Sequence, residues 1–127
     1  MSWIEQSIKQ FGRSVGISSL AFDGDGALRL GTGSGGTIEL HHQHELSPPA
    51  LLIIVSELVG FNRAARLRAA LRLADFRQQA VSPLHVALDG DQLVLATRMD
   101  ERAFSHPALE AVLDQLDRLH LHIAERG

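Results

Sequence analysis

The chain contains no cysteine and only one tryptophan, and it lacks any long apolar run. Without cysteine, disulfides, thiolate metal ligands and cysteine nucleophiles are excluded. The longest apolar run, ALLIIV at 50–55, is far shorter than the roughly 20 residues that a membrane-spanning helix needs. Acidic residues outnumber basic ones by 15 to 12, so no overall positive field favours nucleic acid as a partner.

The length and composition predict one domain, residues 1–127. The chain has 127 residues, of which 45% are apolar, and this is enough for a single hydrophobic core. The N-terminal segment MSWIEQSIKQF carries Glu5 and lacks the basic and apolar regions of a signal peptide. We therefore expect a soluble protein of the cytoplasm.

Helical spacing predicts a first helix. Ser2 and Glu5 form a capping box, Gly16 is placed to end the helix, and the apolar stripe consists of Ile4, Ile8, Phe11 and Val15, with Trp3 on its flank. Helical spacing returns from 62 to 76, and again from His106-Pro107 to about Ala124. The stripe of this last helix consists of Leu109, Val112, Leu113, Leu116 and Ile123.

Between the helices the pattern favours strands. Alternation predicts strands at ALRL (27–30) and TIELHH (37–42), while ALLIIV predicts a strand that is buried on both sides. LHVAL and QLVLAT flank Asp89-Gly90-Asp91, which predicts a short hairpin. The predicted fold is α+β, a single domain in the order α-β-β-β-α-β-β-α with a twisted antiparallel sheet covered by helices.

The segment GTGSGG at 31–36 has the spacing of a dinucleotide-binding loop. Such a loop binds phosphate because a helix follows it and directs free N–H groups at the anion. Here a strand follows, so we interpret the glycines as a loose hairpin loop between two antiparallel strands. No cofactor is predicted.

Two further segments resemble metal sites. In HHQHE (41–45), His42 and His44 share a strand face, but a third ligand is not evident, so a polar strand end is the favoured interpretation. The segment Asp23-Gly24-Asp25-Gly26 lacks the later ligands of a calcium loop and predicts a tight turn. No GxSxG motif is present. We therefore predict neither a metal site nor catalytic residues.

The middle helix, RAARLRAALRLADF, has two apolar stripes on roughly opposite sides. One comprises Ala64, Leu67, Leu71 and Ala74, and the other comprises Ala65, Ala69, Leu73 and Phe76. Because a helix that covers its own sheet needs only one apolar face, a dimer interface edged by arginines is the preferred hypothesis. One alternative is a core helix with an alanine-rich solvent face. Another is an RNA-binding arginine helix, although no aromatic platform on which bases could stack accompanies the arginines.

The order of elements resembles the class I chaperones of bacterial type III secretion. The opening MSWIE and the final DQLVLATRMDERAFSHPALEAVLDQLDRL are similar to the SycN branch in particular, and AFDGDGALRL resembles the first strand and turn of the family. The resemblance implies a non-enzymatic cytoplasmic bacterial chaperone that acts at the inner face of the secretion apparatus. It also implies a dimer, with itself or with a second small class I chaperone, that binds an extended segment near the N-terminus of a secreted gatekeeper or effector.

The resemblance also implies site residues. The dimer interface would lie on the middle helix, at Ala64, Ala65, Leu67, Arg68, Ala69, Leu71, Arg72, Leu73 and Phe76. The cargo surface would lie around the first helix and the sheet, at Trp3, Ile4, Ile8, Phe11, Leu28, Leu30, Ile38 and Leu40. Two alternatives remain at this point: a generic dimeric interaction module, and a small metal-binding protein that uses His42 and His44.

Overall fold

The computed structural model describes residues 3–17, 20–31, 36–59, 63–73 and 84–126, apart from the side chains of Leu73 and Arg126. The elements are α1 (Trp3–Ser14), β1 (Ala27–Gly31), β2 (Thr37–Gln43), β3 (Ala50–Leu58), α2 (Arg63–Leu73), β4 (His85–Asp89), β5 (Gln92–Asp100) and α3 (His106–Arg126), with a 3-10 turn at Glu101–Ala103. This order confirms the predicted α+β fold. None of the helices in these ranges combines the length and apolarity that a membrane crossing requires.

The five strands form one sheet in the order β1-β2-β3-β5-β4, and every neighbouring pair is antiparallel. β3 lies at the centre and pairs with β2 on one side and with β5 on the other. The register places Leu28, Leu40, Ile53 and Thr97 in one row across four strands. All four side chains are buried, so this row lies on the face of the sheet that the helices cover.

The hydrophobic core lies between that face and the three helices. Two predicted stripes are confirmed by their burial: Ile4, Ile8 and Phe11 of α1, and Leu109, Leu116 and Ile123 of α3. Val15, predicted in the first stripe, is exposed instead. The reason is that α1 ends at Ser14 and Gly16 adopts φ +80°, which turns the chain away.

The prediction that β3 is buried on both sides is wrong. Leu51, Ile53 and Val55 are buried against the helices, whereas Leu52 and Ile54, on the opposite face, are half-buried. The apolar side chains of all three helices join the first set in one core. An uninterrupted apolar run therefore marks a central strand here without marking a second covered face.

The predicted turns at the two Asp-Gly segments are confirmed. Asp23 Oδ1 accepts hydrogen bonds from the backbone N–H groups of Asp25 and Ala27 at 2.8 and 3.0 Å. These bonds, the one from Ala27 first, hold the pKa of Asp23 below its usual value. In the β4–β5 hairpin, Asp89 pairs with Gln92 and Gly90 adopts φ +61°, a conformation that glycine adopts without strain.

The glycine segment joins two antiparallel strands, because Gly31 of β1 pairs with Thr37 of β2. Residues 32–35 lie outside the described ranges. At Gly36 an added Cβ would lie 2.4 Å from the carbonyl oxygen of Ser56. Gly36 therefore permits β3 to approach closely, which is a packing requirement unrelated to phosphate.

Substitution of Gly36 tests this requirement. Because its Cβ would overlap a backbone oxygen, we expect Gly36→Ala to lower the free energy of unfolding by about 1–3 kcal/mol, the range for overpacking. Gly31→Ala is the matched control, since a Cβ there would meet nothing within 4 Å. Urea denaturation measures both variants. Equal stabilities would contradict the close approach.

His120 anchors α3 to the central strand. Its Nε2 lies 2.7 Å from the carbonyl oxygen of Val55, and because a carbonyl only accepts, Nε2 carries the proton and donates. Burial lowers the pKa of His120, an effect only partly opposed by this hydrogen bond and by Glu57 and Asp117. The ring is therefore held in its neutral form inside the fold.

This burial predicts a pH dependence of stability. A histidine with a lowered pKa contributes stability that is complete above its unfolded pKa, about 6.5, and that is lost as the pH falls below this value, because the unfolded chain binds the proton first. We expect the free energy of unfolding to fall between about pH 7.5 and about pH 5.5, and to fall less steeply in His120→Gln. His122→Gln, an exposed site two residues later, is the matched control. A His120→Gln slope equal to that of the unsubstituted protein would show that this ring is not the titrating group.

Candidate partner-binding surfaces

A groove lies between α1, the connection from α1 to β1, and the end of β2. Its cavity volume is about 460 Å³, within the range of sites that take a side chain or a small ligand. The floor is formed by Ile4, Ile8 and Leu20, which are buried, and half-buried Phe22 forms a wall. The groove is therefore an apolar depression that a side chain of another molecule can enter.

Histidines form the polar rim of this α1 groove. His42 Nε2 lies 2.7 Å from Glu101 Oε2, and the His42 ring lies 5.9 Å from the Phe22 ring and 5.6 Å from that of His44. The prediction that His42 and His44 share a face is confirmed by this contact. The carboxylate fixes the orientation of the His42 ring beside the apolar wall.

Glu101 is positioned by the turn that follows β5. Asp100 Oδ1 accepts a hydrogen bond from the backbone N–H of Arg102 at 2.8 Å and so caps the 3-10 turn. The hydrogen bond from the Arg102 side chain, followed by this backbone bond, lowers the pKa of Asp100. The Glu101 backbone N–H also donates to the Pro49 carbonyl at 3.0 Å. These bonds hold Glu101 opposite His42.

The geometry at the histidines is that of a structural hydrogen bond between His42 and Glu101. Within the described ranges, no group of three or more histidine, cysteine, aspartate or glutamate side chains is arranged to hold a metal ion. His41, the third histidine of the segment, points to the other side of β2, where its ring lies 3.4 Å from Glu39.

The structure separates the eight residues predicted to bind cargo into two sets. Five of them lie in the hydrophobic core: Ile4, Ile8, Phe11, Leu28 and Leu40. Trp3 is 48% exposed, and Leu30 and Ile38 are half-buried. Because core stripes and binding stripes have the same helical or alternating period, the sequence pattern does not distinguish them. Of the five core residues, only Ile4 and Ile8 also line the α1 groove.

The described part of α2 is not divided along the two predicted apolar stripes. It is buried at Ala70, with Leu67 of the first stripe and Ala69 of the second packed against the core. The exposed side carries Ala64, Arg68, Leu71 and Arg72, with Ala65 half-buried at its edge. Ala74 and Phe76 lie outside the described ranges, and so does the Leu73 side chain.

Among the described side chains of α2, Leu71 is the most exposed large apolar one, at 54%. Arg68 lies one turn before it and Arg72 lies next to it on the same exposed side. An exposed leucine flanked by arginines is the pattern expected of a contact surface, where the apolar side chain is buried at the centre and the charges at the rim stay near water. We call the set Ala64, Ala65, Arg68, Leu71 and Arg72 the outer α2 face.

Sequence reasoning did not find two residues of the α1 groove, Leu20 and Phe22. They lie in the connection between α1 and β1, where no periodic pattern exists. Leu20 lies close to α1, and Gly12 makes room for it. An alanine at Gly12 would place its Cβ only 2.8 Å from the Leu20 Cβ. Apolar residues in a short connection, after a glycine within a helix, are the only sequence signal of this wall.

Comparison with known proteins places this geometry in a family. The family model of the type III secretory system chaperone SycN matches residues 3–124. No curated protein matches the sequence significantly.

Several solved structures share the fold. The structure of the ExsC–ExsE complex aligns with a TM-score of 0.73 at 18% identity, covering 97% of this chain and 92% of the other. SycH of Yersinia pestis, a type III secretion chaperone solved with a fragment of YscM2, aligns at 0.70 and 16% identity, covering 94% and 98%. A chain of the HopA1–SchA chaperone–effector complex aligns at 0.69 and 18% identity, covering 97% and 94%.

At such identities the structural likeness establishes the fold, and the family match establishes the family. The match extends over α1, the complete sheet and nearly all of α3. The chain belongs to the SycN family of type III secretion chaperones.

Proposed function

We propose that this chain acts in the bacterial cytoplasm as one half of a chaperone dimer that holds an extended N-terminal segment of a secreted gatekeeper or effector. The observation that carries the proposal is the family match over residues 3–124 together with an apolar groove beside a sheet edge. Family membership separates this function from that of a generic interaction module.

The α1 groove supports the binding of apolar cargo side chains. Its floor is preformed by core residues, so an entering side chain gains apolar contact without rearranging the fold. A fully buried aliphatic side chain gains about 1.5–3 kcal/mol relative to exposure. Several such insertions along one segment would give useful affinity without any fixed polar motif.

The β1 edge supports main-chain recognition. β1 pairs with β2 alone among the described strands and ends the sheet on that side. An extended segment can add to such an edge through backbone hydrogen bonds, which depend little on sequence. The alternate side chains of the segment would then reach the helix-covered side, where Leu30 and Ile38 are half-buried.

The chemistry of this mechanism is non-covalent. The hydrogen bond between His42 and Glu101 orients the groove wall, and cargo binding requires neither a cofactor nor a reaction step. Hydrogen bonds along a strand and apolar contacts are reversible, so the secretion apparatus can withdraw the segment by offering a competing interaction. We therefore propose a binding role without catalysis.

The outer α2 face supports dimer formation. An exposed Leu71 costs free energy in an isolated chain, and burying it against a partner helix would recover that cost. The small side chains of Ala64 and Ala65 would let the partner approach closely. The partner is either a second copy or a second small chaperone of the same class.

Native mass spectrometry of complexes purified from the protein's own bacterium tests the function. We expect a complex of this chain, a second class I chaperone or a second copy, and a larger secreted protein. A monomer that carries no polypeptide partner, in cells that express the secretion system, would contradict the proposal.

Leu71→Asp tests the dimer. A carboxylate in the buried centre of an interface raises the dissociation constant of the dimer by about tenfold or more, and the fold should persist because the side chain is exposed in the single chain. Light scattering after gel filtration measures the mass, and circular dichroism measures the fold. Leu46→Asp, at an exposed leucine in the β2–β3 connection, is the matched control. A Leu71→Asp protein that retains its dimer mass would exclude the outer α2 face.

Ala21→Arg tests the α1 groove. Ala21 lines the groove but is exposed, so a long charged side chain there would obstruct the cavity and leave the core intact. We expect the dissociation constant for the N-terminal cargo segment to rise by about tenfold or more, with melting temperature and dimer mass unchanged. Ala111→Arg makes the same substitution at an exposed site of α3. Isothermal titration calorimetry measures both, and equal affinities would place the cargo elsewhere.

A further inference from the structure

A second cavity lies between α2, α3 and the end of β3, apart from the α1 groove and the outer α2 face. Its volume is about 280 Å³. Leu58 and Leu121, on its lining, are 48% and 62% exposed, while Leu93 and Ile123 are buried. Leu121 has the highest exposed fraction of the large apolar side chains in the described ranges. Two leucines left open to water beside one cavity indicate a surface that another apolar group can cover.

Arg66 supplies an unused hydrogen-bond donor to this cavity. Its Nε is buried and has no hydrogen-bond partner within the described ranges, although the residue lines the cavity. A guanidinium does not lose its proton in a protein, so this N–H remains a donor. Because a buried donor without an acceptor is unfavourable, a ligand oxygen that the Arg66 side chain turns to meet would relieve it.

His120 supplies an acceptor on the same lining. Its Nε2–H donates to the Val55 carbonyl, and burial lowers its pKa. The ring is therefore neutral, with the Nδ1 lone pair as an acceptor. One donor and one acceptor in an apolar cavity match the carbonyl and N–H groups of a peptide backbone.

The charged groups around the cavity favour a basic ligand. Glu57 and Asp117 line both this cavity and a neighbouring groove of about 320 Å³, which Ile38, Leu113 and Asp114 also line. Arg66 is the guanidinium group on the cavity lining, and Arg118 lies 2.9 Å from Asp114 of the neighbouring groove. With His120 neutral, the three carboxylates of Glu57, Asp114 and Asp117 and the two guanidinium groups sum to one negative charge.

We propose that this cavity binds a segment of a partner polypeptide in which an aliphatic residue stands next to a lysine or arginine. The aliphatic side chain lies between Leu58 and Leu121, a backbone carbonyl accepts the Arg66 Nε–H, and the basic side chain lies beside Glu57 and Asp117. The surface is additional to the proposed cargo groove and dimer face. It would give the chaperone a third contact, selective for the charge of its partner.

The test is an NMR titration of the ¹⁵N-labelled full chain with two acetylated and amidated pentapeptides, Gly-Lys-Ile-Lys-Gly and Gly-Glu-Ile-Glu-Gly. We expect the basic peptide to shift the amide signals of Leu58, Asp117 and Leu121 and to bind roughly threefold or more tightly than the acidic one. About 0.5 M salt should reduce that difference, because exposed charges are then screened.

Two variants assign the binding to this cavity. Leu121→Ser should raise the dissociation constant of the basic peptide roughly fivefold, because it removes one apolar wall, and Arg66→Lys should weaken binding by removing the planar donor while keeping the charge. Leu46→Ser, at an exposed leucine outside the cavity, should leave the affinity unchanged. The proposal fails if neither peptide shifts these signals, if the two peptides bind equally, or if Leu121→Ser binds like the unsubstituted protein.

Discussion

All of the surfaces described above depend on the pairing of β3. This strand exchanges hydrogen bonds with β2 and β5 along its length, and it presents Leu51, Ile53 and Val55 to the helices. Because side chains alternate along a strand, this arrangement commits one face of the sheet to the core. α1, α2 and α3 then share that face, and the spaces where they do not meet become the α1 groove and the cavity beside α3.

The two spaces differ in their chemistry because different elements form them. Residues 20–26, which precede β1, form one wall of the α1 groove, so apolar side chains and an oriented histidine dominate there. Two helices and a strand end form the other cavity, where charged positions of α2 and α3 meet around Arg66 and His120. For the proposed binding of an extended cargo segment, separate contacts are an advantage, because each can be modest and still add to the total affinity.

The fold tolerates wide variation in sequence. Chains of 16–18% identity superpose on it with TM-scores of about 0.7. The physical requirement is the apolar period of each element and a few close approaches, such as Gly36 against the carbonyl of Ser56. Exposed residues such as Leu71 and Leu121 are not needed by the core, which leaves them available to the proposed partners.

The sequence by itself determined the order of elements, the two Asp-Gly turns, the hairpin at the glycines and the inward stripes of α1 and α3, because these depend on local periods and on backbone preferences. It did not determine which apolar residues remain on the surface for a partner to contact: Phe11 and Leu28 lie in the core, while Leu58 and Leu121 are exposed. It also placed Leu67 and Leu71 in one stripe, although Leu67 packs against the core and Leu71 is exposed. Only the tertiary structure decided these points, because exposure depends on which elements pack together and not on the period of one element.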